Sequence, residues 1–316
     1  MTTPTRPERD TSDAGLDAVV SERRQLMSLA YRLLGSVAEA EDAVQETYAR
    51  WYAMTQRERD AVASPGAWLT TVAGRVCLDV LRSARARRER YVGEWIPEPV
   101  PGRADWIGGR PGPAASAAPG DPADRITLDE SVGMAFLVVL ESMTPAQRVA
   151  LILHDVFGYP FAEIAEITGR TPAACRELAS AARRRVRAAA PPASPADRQA
   201  DLVREFKRAW EARDIGALLG LLDPAATFTA DGGGLVVTTL RPIEGGDRIA
   251  RYVLGLASRI TPEVTLAEST VNGRPGLIVR RAGQVTGVYA FEVADGRITH
   301  IWAVRNPEKL RTWTDA

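Results

Sequence analysis

The sequence predicts a multidomain chain: two all-α helical units, the second carrying a helix-turn-helix, followed by an α+β domain. Three observations carry this. Apolar residues recur at helical spacing through residues 16–90 and again through 126–190. A stretch rich in Pro, Gly and Ala, residues 93–129, separates the two runs. After Asp197 the pattern changes to short strand-like runs. At 316 residues, 45% hydrophobic and 25% charged, the composition is that of a globular protein with room for two or three domains.

Residues 1–13 are polar and hold no apolar signal core, so a disordered N-terminus is expected there. The first domain, residues 14–92, opens with a helix from Leu16 to Leu34 that stops at Gly35. Ser36, with Glu39 three residues on, is a capping box that starts the second helix. Val37, Ala40, Val44, Tyr48 and Trp51 line one side of that helix; Asp42, Gln45, Glu46 and Arg50 line the other. A loop over 55–66 leads to a long helix from Ala67 to Arg90, apolar at its start and Arg-rich at its end. The linker 93–129 is too rich in Pro, Gly and Ala to pack throughout. It nevertheless contains Trp95 and Trp106, large aromatics that need a surface to dock on.

In the second domain, residues 130–190, Thr144 and Gln147 form another capping box with Pro145 at the first helical position, and an apolar helix covers 148–157. Phe161, Ile164, Ala165 and Ile167 give the next short helix its apolar stripe. Gly169 falls where a positive φ is cheap, and Thr171 caps a helix that starts at Pro172. There Cys175, Leu178, Ala182 and Val186 make a buried side, while Arg176, Ser180, Arg183 and Arg187 make an exposed one. This is the helix-turn-helix pattern, whose second helix enters the major groove; the same residues also describe a helical hairpin with a solvated Arg face. Residues 191–198 form a second linker. The third domain, 199–316, has an amphipathic helix (Leu202, Phe206, Ala209, Trp210) and a helix near 247–258. Its strands are expected at 226–230, 235–240, 277–281, 285–293 and 297–304, as a curved antiparallel sheet packed on helices.

The net charge is zero, but the charge is blocked out locally. Residues 82–90 hold Arg82, Arg85, Arg87, Arg88 and Arg90 against Glu89; residues 183–187 hold Arg183, Arg184, Arg185 and Arg187 with no acid. Glu39, Glu41, Asp42 and Glu46 form an acidic block. Such fields act within a Debye length of roughly 10 Å, so these blocks read as separate partner surfaces. Cys77 and Cys175 lie far apart in apolar helical patterns, which fits buried, reduced thiols. No stretch approaches the length of a membrane span, so a cytoplasmic protein without a membrane partner is expected. No cofactor or metal site is expected.

The segments Asp42–Tyr52 (DAVQETYARWY) and Trp68–Glu89, followed in order by the turn region 161–187, together resemble a bacterial extracytoplasmic-function (ECF) RNA polymerase sigma factor. The resemblance covers residues 14–92, as sigma region 2, and 130–190, as sigma region 4. The remaining third resembles a SnoaL-like, NTF2-like domain. WIPEP (Trp95–Pro99), DGGG (Asp231–Gly234) and NPEKL (Asn306–Leu310) are similar to motifs of the subfamily in which such a domain is fused to the sigma factor. The resemblance implies binding to core RNA polymerase, at the β′ clamp helices through Asp42, Gln45, Glu46 and Arg50 and at the β flap. It implies −10 promoter contacts from Arg75, Arg82, Arg85 and Arg88, with a flipped base held by the loop before them. Contacts to the −35 element are implied for Thr171, Arg176, Glu177, Ser180, Arg183, Arg184 and Arg187, the later arginines reaching phosphates. The chain departs from the family pattern at Arg75, where many members carry Asn, and at Ala181, where many carry Arg.

For the third domain two functions are weighed, and regulation without enzymatic activity is the expected one. As an enzyme of the cyclase or isomerase type it would need an acid or His in its cavity, and Asp231 and His300 are the candidates, at no motif spacing. As a regulator it would bring Trp95, Pro97, Glu98 and Pro99 together with Asp231, Gly232, Gly233, Gly234, Asn306, Pro307, Glu308, Lys309 and Leu310 at one interface. It would then tune the sigma regions in cis with no separate anti-sigma factor, its cavity leaving room for an unknown small ligand. A different class of function is a one-component helix-turn-helix regulator with a small-molecule-sensing domain; that would not account for the acidic helix, the Arg-rich helix or WIPEP.

Overall fold

The computed structural model describes residues 11–88, 91–102, 104, 106, 126–127, 130–189, 196–257 and 263–313, without the side chains of 11–21, 84–88, 196–197 and 257. The first domain packs α1 (Thr11–Leu34), α2 (Val37–Ala53), α3 (Gln56–Asp60) and α4 (Pro65–Arg88). Gly35 ends α1 at φ 70°, and Ser36 Oγ accepts the Glu39 N–H at 3.4 Å to cap α2. Two expectations are corrected. Helix α1 begins at Thr11, so residues 11–13 are its first turn; residues 1–10 lie outside the described residues. The stretch 55–66 is not all loop: Thr55 and Glu58 satisfy each other's backbone N–H groups (2.7 and 3.3 Å) and start α3.

The second domain contains a 3₁₀ turn (Glu130–Val132), α5 (Met134–Glu141), α6 (Pro145–Leu151), a π-helical turn (Ile152–Val156), α7 (Phe161–Thr168) and α8 (Pro172–Ala189). The expected continuous helix over 148–157 is interrupted at the π turn, where the Phe157 N–H reaches back to Ile152 O at 3.2 Å. Gly169 takes φ 67°, and Thr171 Oγ1 accepts the Ala174 N–H at 3.2 Å, as the turn chemistry required. Both cysteines are buried and free.

The two helical domains share one continuous apolar core, running from Leu26 through Leu81 to Ala182. Gly74 lets α7 close on α4: a Cβ there would stand 3.1 Å from Ile167 Cγ2. Two buried arginines cross the joint. Arg32 Nε donates to Ser131 Oγ at 2.7 Å, and Arg148 Nη1 donates to Leu33 O at 2.9 Å and Glu141 Oε1 at 2.8 Å.

The third domain packs α9 (Ala196–Ala212), α10 (Ile215–Leu221) and α11 (Gly246–Ala257) on a sheet of order β2-β1-β6-β5-β4-β3. The strands are β1 (Leu222–Asp231), β2 (Ile243–Glu244), β3 (Val264–Val271), β4 (Arg274–Arg281), β5 (Gln284–Ala294) and β6 (Arg297–Val304). The sheet is antiparallel except for the parallel pair β1 and β6. The strand expected at 235–240 is absent. Gly233 and Gly234 turn the chain with φ 62° and 73°, and β2 already occupies the free edge of β1. Leu235, Val237 and Leu240 are left 62%, 85% and 64% exposed. The linker is also corrected: Ile96–Val100 are buried and Pro101 bridges to Val271, while residues 107–125 lie outside the described residues.

Candidate functional site

An extended segment, Tyr91–Gly102, runs between all three domains. On the side of the first domain, the Tyr31 hydroxyl donates to Glu98 O at 2.7 Å and the Glu98 N–H donates to Gly35 O at 2.8 Å. The Glu98 carboxylate accepts the Val37 N–H at 2.8 Å and the Ser36 hydroxyl at 3.3 Å, satisfying the open N-terminus of α2. Burial pushes the Glu98 carboxyl above its ordinary range, against these donors and the charge of Lys309. On the far side, Asn272 sits at φ 51°, a conformation Asn tolerates. Its amide donates to Tyr31 OH (2.8 Å) and Val132 O (2.9 Å) and accepts the Val100 N–H (3.1 Å). One side chain thus touches all three domains and the linker.

The charged centre of this seam is Asp231, whose side chain is fully buried. Oδ1 accepts the Tyr91 hydroxyl at 2.6 Å and the Gly233 N–H at 3.0 Å; Oδ2 accepts the Ile96 N–H at 3.0 Å and Lys309 Nζ at 2.7 Å. Lys309 Nζ also donates to Ile96 O at 2.5 Å and lies 4.1 Å from the Trp95 ring and 5.1 Å from that of Tyr91. Asn306 donates to Tyr91 OH at 2.9 Å. The glycines follow from this crowding. The Asn306 amide stands where a Gly233 side chain would be, the Val236 carbonyl where one on Gly232 would be, and Val92 lies 3.1 Å from a Cβ at Gly234. Around the polar centre Ile96, Met134, Trp302, Leu310 and Trp313 form a separate apolar cluster, and Trp313 Nε1 donates to Pro99 O at 2.9 Å.

The structure therefore brings WIPEP, DGGG and NPEKL together. Pro97 and Pro99 are buried in the linker; Pro307 and Glu308 are exposed, so NPEKL contributes Asn306, Lys309 and Leu310. Tyr31, Tyr91, Asn272 and Trp313 escaped sequence reasoning. Only Asn272-Gly273 carried a signal, that of a hairpin turn, which is its local role.

The proposed partner surfaces lie apart from the seam. Asp42, Gln45, Glu46 and Arg50 are exposed on α2, with Arg50 paired to Glu46 at 2.9 Å. Arg82 is exposed and pairs with Asp79 at 3.0 Å. Arg75 is exposed on α4, yet its Nη2 donates to Glu166 O of α7 at 3.1 Å, so the second domain covers part of that face. The side chains of Arg85 and Arg88 lie outside the described residues. On α8, Arg176 (over the Phe161 ring at 5.4 Å), Glu177, Arg184 and Arg187 are exposed, Ser180 is half-buried, and Thr171 is an exposed cap. Arg183 is a correction. Its guanidinium grips buried Asp155 with two bonds of 2.7 Å, so it holds α8 to the π turn instead of facing outward.

The two candidates for acid–base chemistry are separated as well. Asp231 is taken up by the seam. His300 lies on the sheet face of Trp302 and Val304, stacked on Trp302 at 4.3 Å and 3.2 Å from Thr229 Oγ1. Burial lowers its pKa to about 4. Neither residue lines the cavity of ≈ 520 Å³ on the helix side of the sheet.

Comparison with known proteins agrees with this architecture. Residues 18–87 match the family Sigma-70 region 2, and residues 133–186 match Sigma-70, region 4. The chain is 40% identical over 299 residues to the ECF RNA polymerase sigma factor SigJ of Mycobacterium tuberculosis, covering 91% of this chain and 90% of that one. It is 34% identical over 291 residues to the probable ECF RNA polymerase sigma factor SigI of the same species, covering 92% of each. The crystal structure of M. tuberculosis SigJ superposes with a TM-score of 0.72 at 35% identity, over 94% of this chain and 98% of that one. Among the described residues, no helix is long and apolar enough to cross a membrane.

Proposed function

The chain belongs to the ECF RNA polymerase sigma factors, and on that premise we propose that its third domain regulates the two sigma regions in cis. As a sigma factor it works with core RNA polymerase on promoter DNA. The structure corrects two expected boundaries: the first domain opens with α1 at Thr11, and α9 begins at Ala196, inside the stretch 191–198 expected to be a linker, so the third domain starts there. The seam at 91–102 holds region 2 and region 4 in the closed arrangement, in which α7 covers part of the face of α4. With Arg75 engaged by the Glu166 carbonyl, the −10 face is partly covered while the two regions stay closed. Release of the seam lets them separate, and no separate anti-sigma factor is needed for that restraint. The single observation that carries this is the Asp231 carboxylate, which binds Tyr91, Ile96 and Lys309 at once. Burying such a charge is costly unless every partner is present, which suits a latch that is either made or broken.

The working surfaces are those that the sequence resemblance implies, and exposure and charge support them. Asp42, Gln45, Glu46 and Arg50 offer the β′ clamp helices an acidic, amide-bearing helix face; the region-4 domain serves the β flap. Arg75 and Arg82 are exposed and serve −10 DNA, a role the sequence resemblance extends to Arg85 and Arg88. Arg176, Glu177 and Ser180 read −35 base edges, with Arg184 and Arg187 on phosphates. Run-off transcription with core enzyme tests the proposal: the full chain is compared with one ending near residue 198 and with Asp231–Gly234 replaced by alanine. Higher promoter-dependent output from both variants is expected; output equal to that of the full chain would rule out cis restraint.

A further inference from the structure

The third domain carries a half-open cavity of ≈ 520 Å³, within the range of small-molecule pockets. Its walls are mostly apolar, with Leu256, Leu266, Val279, Val285, Tyr289 and Leu310 among them. The charged lining residues are Arg281 and Arg305; among the described lining residues there is no Asp, Glu or His. Arg281 is exposed and has no carboxylate partner among the described residues. Arg305 is half-buried and gives one N–H to Val237 O at 3.1 Å. Two neutral donors add to this. Trp210 lines the cavity, and its buried indole N–H has no acceptor. Tyr289 lines it too, its phenol pushed up to about 12 by burial against the opposing charge of Arg305, so it stays a protonated donor at neutral pH. Apolar walls, two cations and neutral donors without acids form a chamber of one polarity.

We propose that this cavity binds a small amphiphilic carboxylate, its apolar body among Leu256, Leu266 and Val279 and its carboxylate at the rim carrying Arg281 and Arg305. A planar guanidinium suits a carboxylate in two-bond geometry, and the apolar walls account for a body that water would expel. The rim is shared with the seam. Val236, Pro307 and Leu310 line the cavity, while the backbone N–H groups of Arg305 and Asn306 both donate to Asp231 O, at 2.7 and 3.0 Å. A ligand engaging Arg305 therefore acts one residue from Asn306. Its effect on transcription rests on the cis regulation proposed above; the binding does not.

The test is calorimetric titration of the full chain with dodecanoate below its micellar concentration, with dodecanol as the uncharged control. Saturable one-to-one binding is expected, at least tenfold tighter for dodecanoate than for dodecanol. Arg281→Glu, an exposed change that leaves the fold intact, is expected to weaken dodecanoate at least tenfold, and Val285→Trp, which fills the cavity, to abolish binding. No saturable binding, or binding that neither substitution alters, would overturn the site; equal binding of dodecanol would overturn the carboxylate. Binding by the full chain without any effect of seam variants on transcription would remove the regulatory consequence and leave the site standing.

Discussion

The two sigma domains are joined to each other and to the third domain by different chemistries. Regions 2 and 4 share a continuous apolar core in which α7 lies on α4 across Gly74. The third domain meets them through a strip of linker, a smaller apolar cluster that sets Met134 beside Trp302, and a buried polar network centred on Asp231, Lys309, Tyr91 and Asn272, the only one of these joints with a buried carboxylate–ammonium pair among the described residues. Apolar contact is non-directional and weakens by degrees as side chains are trimmed. A buried charged network fails as a unit, because one missing partner leaves an uncompensated group in a low dielectric. The apolar joint thus gives way by degrees once the seam no longer holds the two regions together, and the polar network is the place where a switch can act.

The largest expected effect comes from Lys309→Met, which leaves the Asp231 carboxylate buried without its cation. A loss of about 3–5 kcal/mol of docking is expected, read as amide exchange at Ile96 and Glu98 faster by about a hundredfold or more. Asp231→Asn combined with Lys309→Met should be milder than Lys309→Met alone. If the double variant were worse, the seam would be held by packing and the contrast between the joints would collapse.

Acid should attack the third domain and spare the apolar core. The His300 pKa, lowered by burial to about 4, lies below the ordinary 6.5, so the native state favours the neutral ring. Its contribution is fully present above pH 6.5 and is lost as pH falls through 4, amounting to roughly 3 kcal/mol by linkage. Glu98 has the opposite sign: its raised pKa favours the protonated native state, a contribution present below the ordinary carboxylate value and lost as pH rises through the raised one. Melting of the full chain between pH 7 and 4 should therefore show the third domain weakening first, with His300→Gln flattening that trend. Simultaneous loss in both joints would argue against separate behaviour.

Smaller effects belong to the surfaces outside both joints. Arg176→Ala should cost about 1–3 kcal/mol of −35 binding and relax sequence preference, while Arg187→Ala should weaken all sequences alike and lower the salt slope by about one. Both are read by fluorescence anisotropy on promoter duplexes across salt concentrations. Glu46→Ala should change stability by only about 0.3 kcal/mol, because its pair with Arg50 is solvated, yet reduce capture by core polymerase in a pull-down.

Much of the helical part was legible because each signal was local. The Thr144–Gln147 capping box, the positive φ at Gly169 and the apolar stripes are set within a few residues. The misses share one cause, distant partners. The alternating run 235–240 looked like a strand, but whether a strand forms depends on a free edge, and β2 had taken it. Arg183 followed the spacing of the exposed face of α8, and only the buried Asp155, 28 residues upstream, turns it inward. Tyr91 and Asn272 make bonds across 140 residues or more, which no periodicity encodes. The clustering of three motifs was readable from Gly, Pro and aromatic residues in unusual places; the charged centre that unites them was not.

The most direct test of the seam as a restraint is promoter-dependent run-off transcription by core RNA polymerase with the full chain carrying Lys309→Met, after amide exchange has verified that the seam is open. Output several-fold above that of the unaltered chain is the expected result. Output unchanged or lower, with the seam demonstrably open, would contradict it.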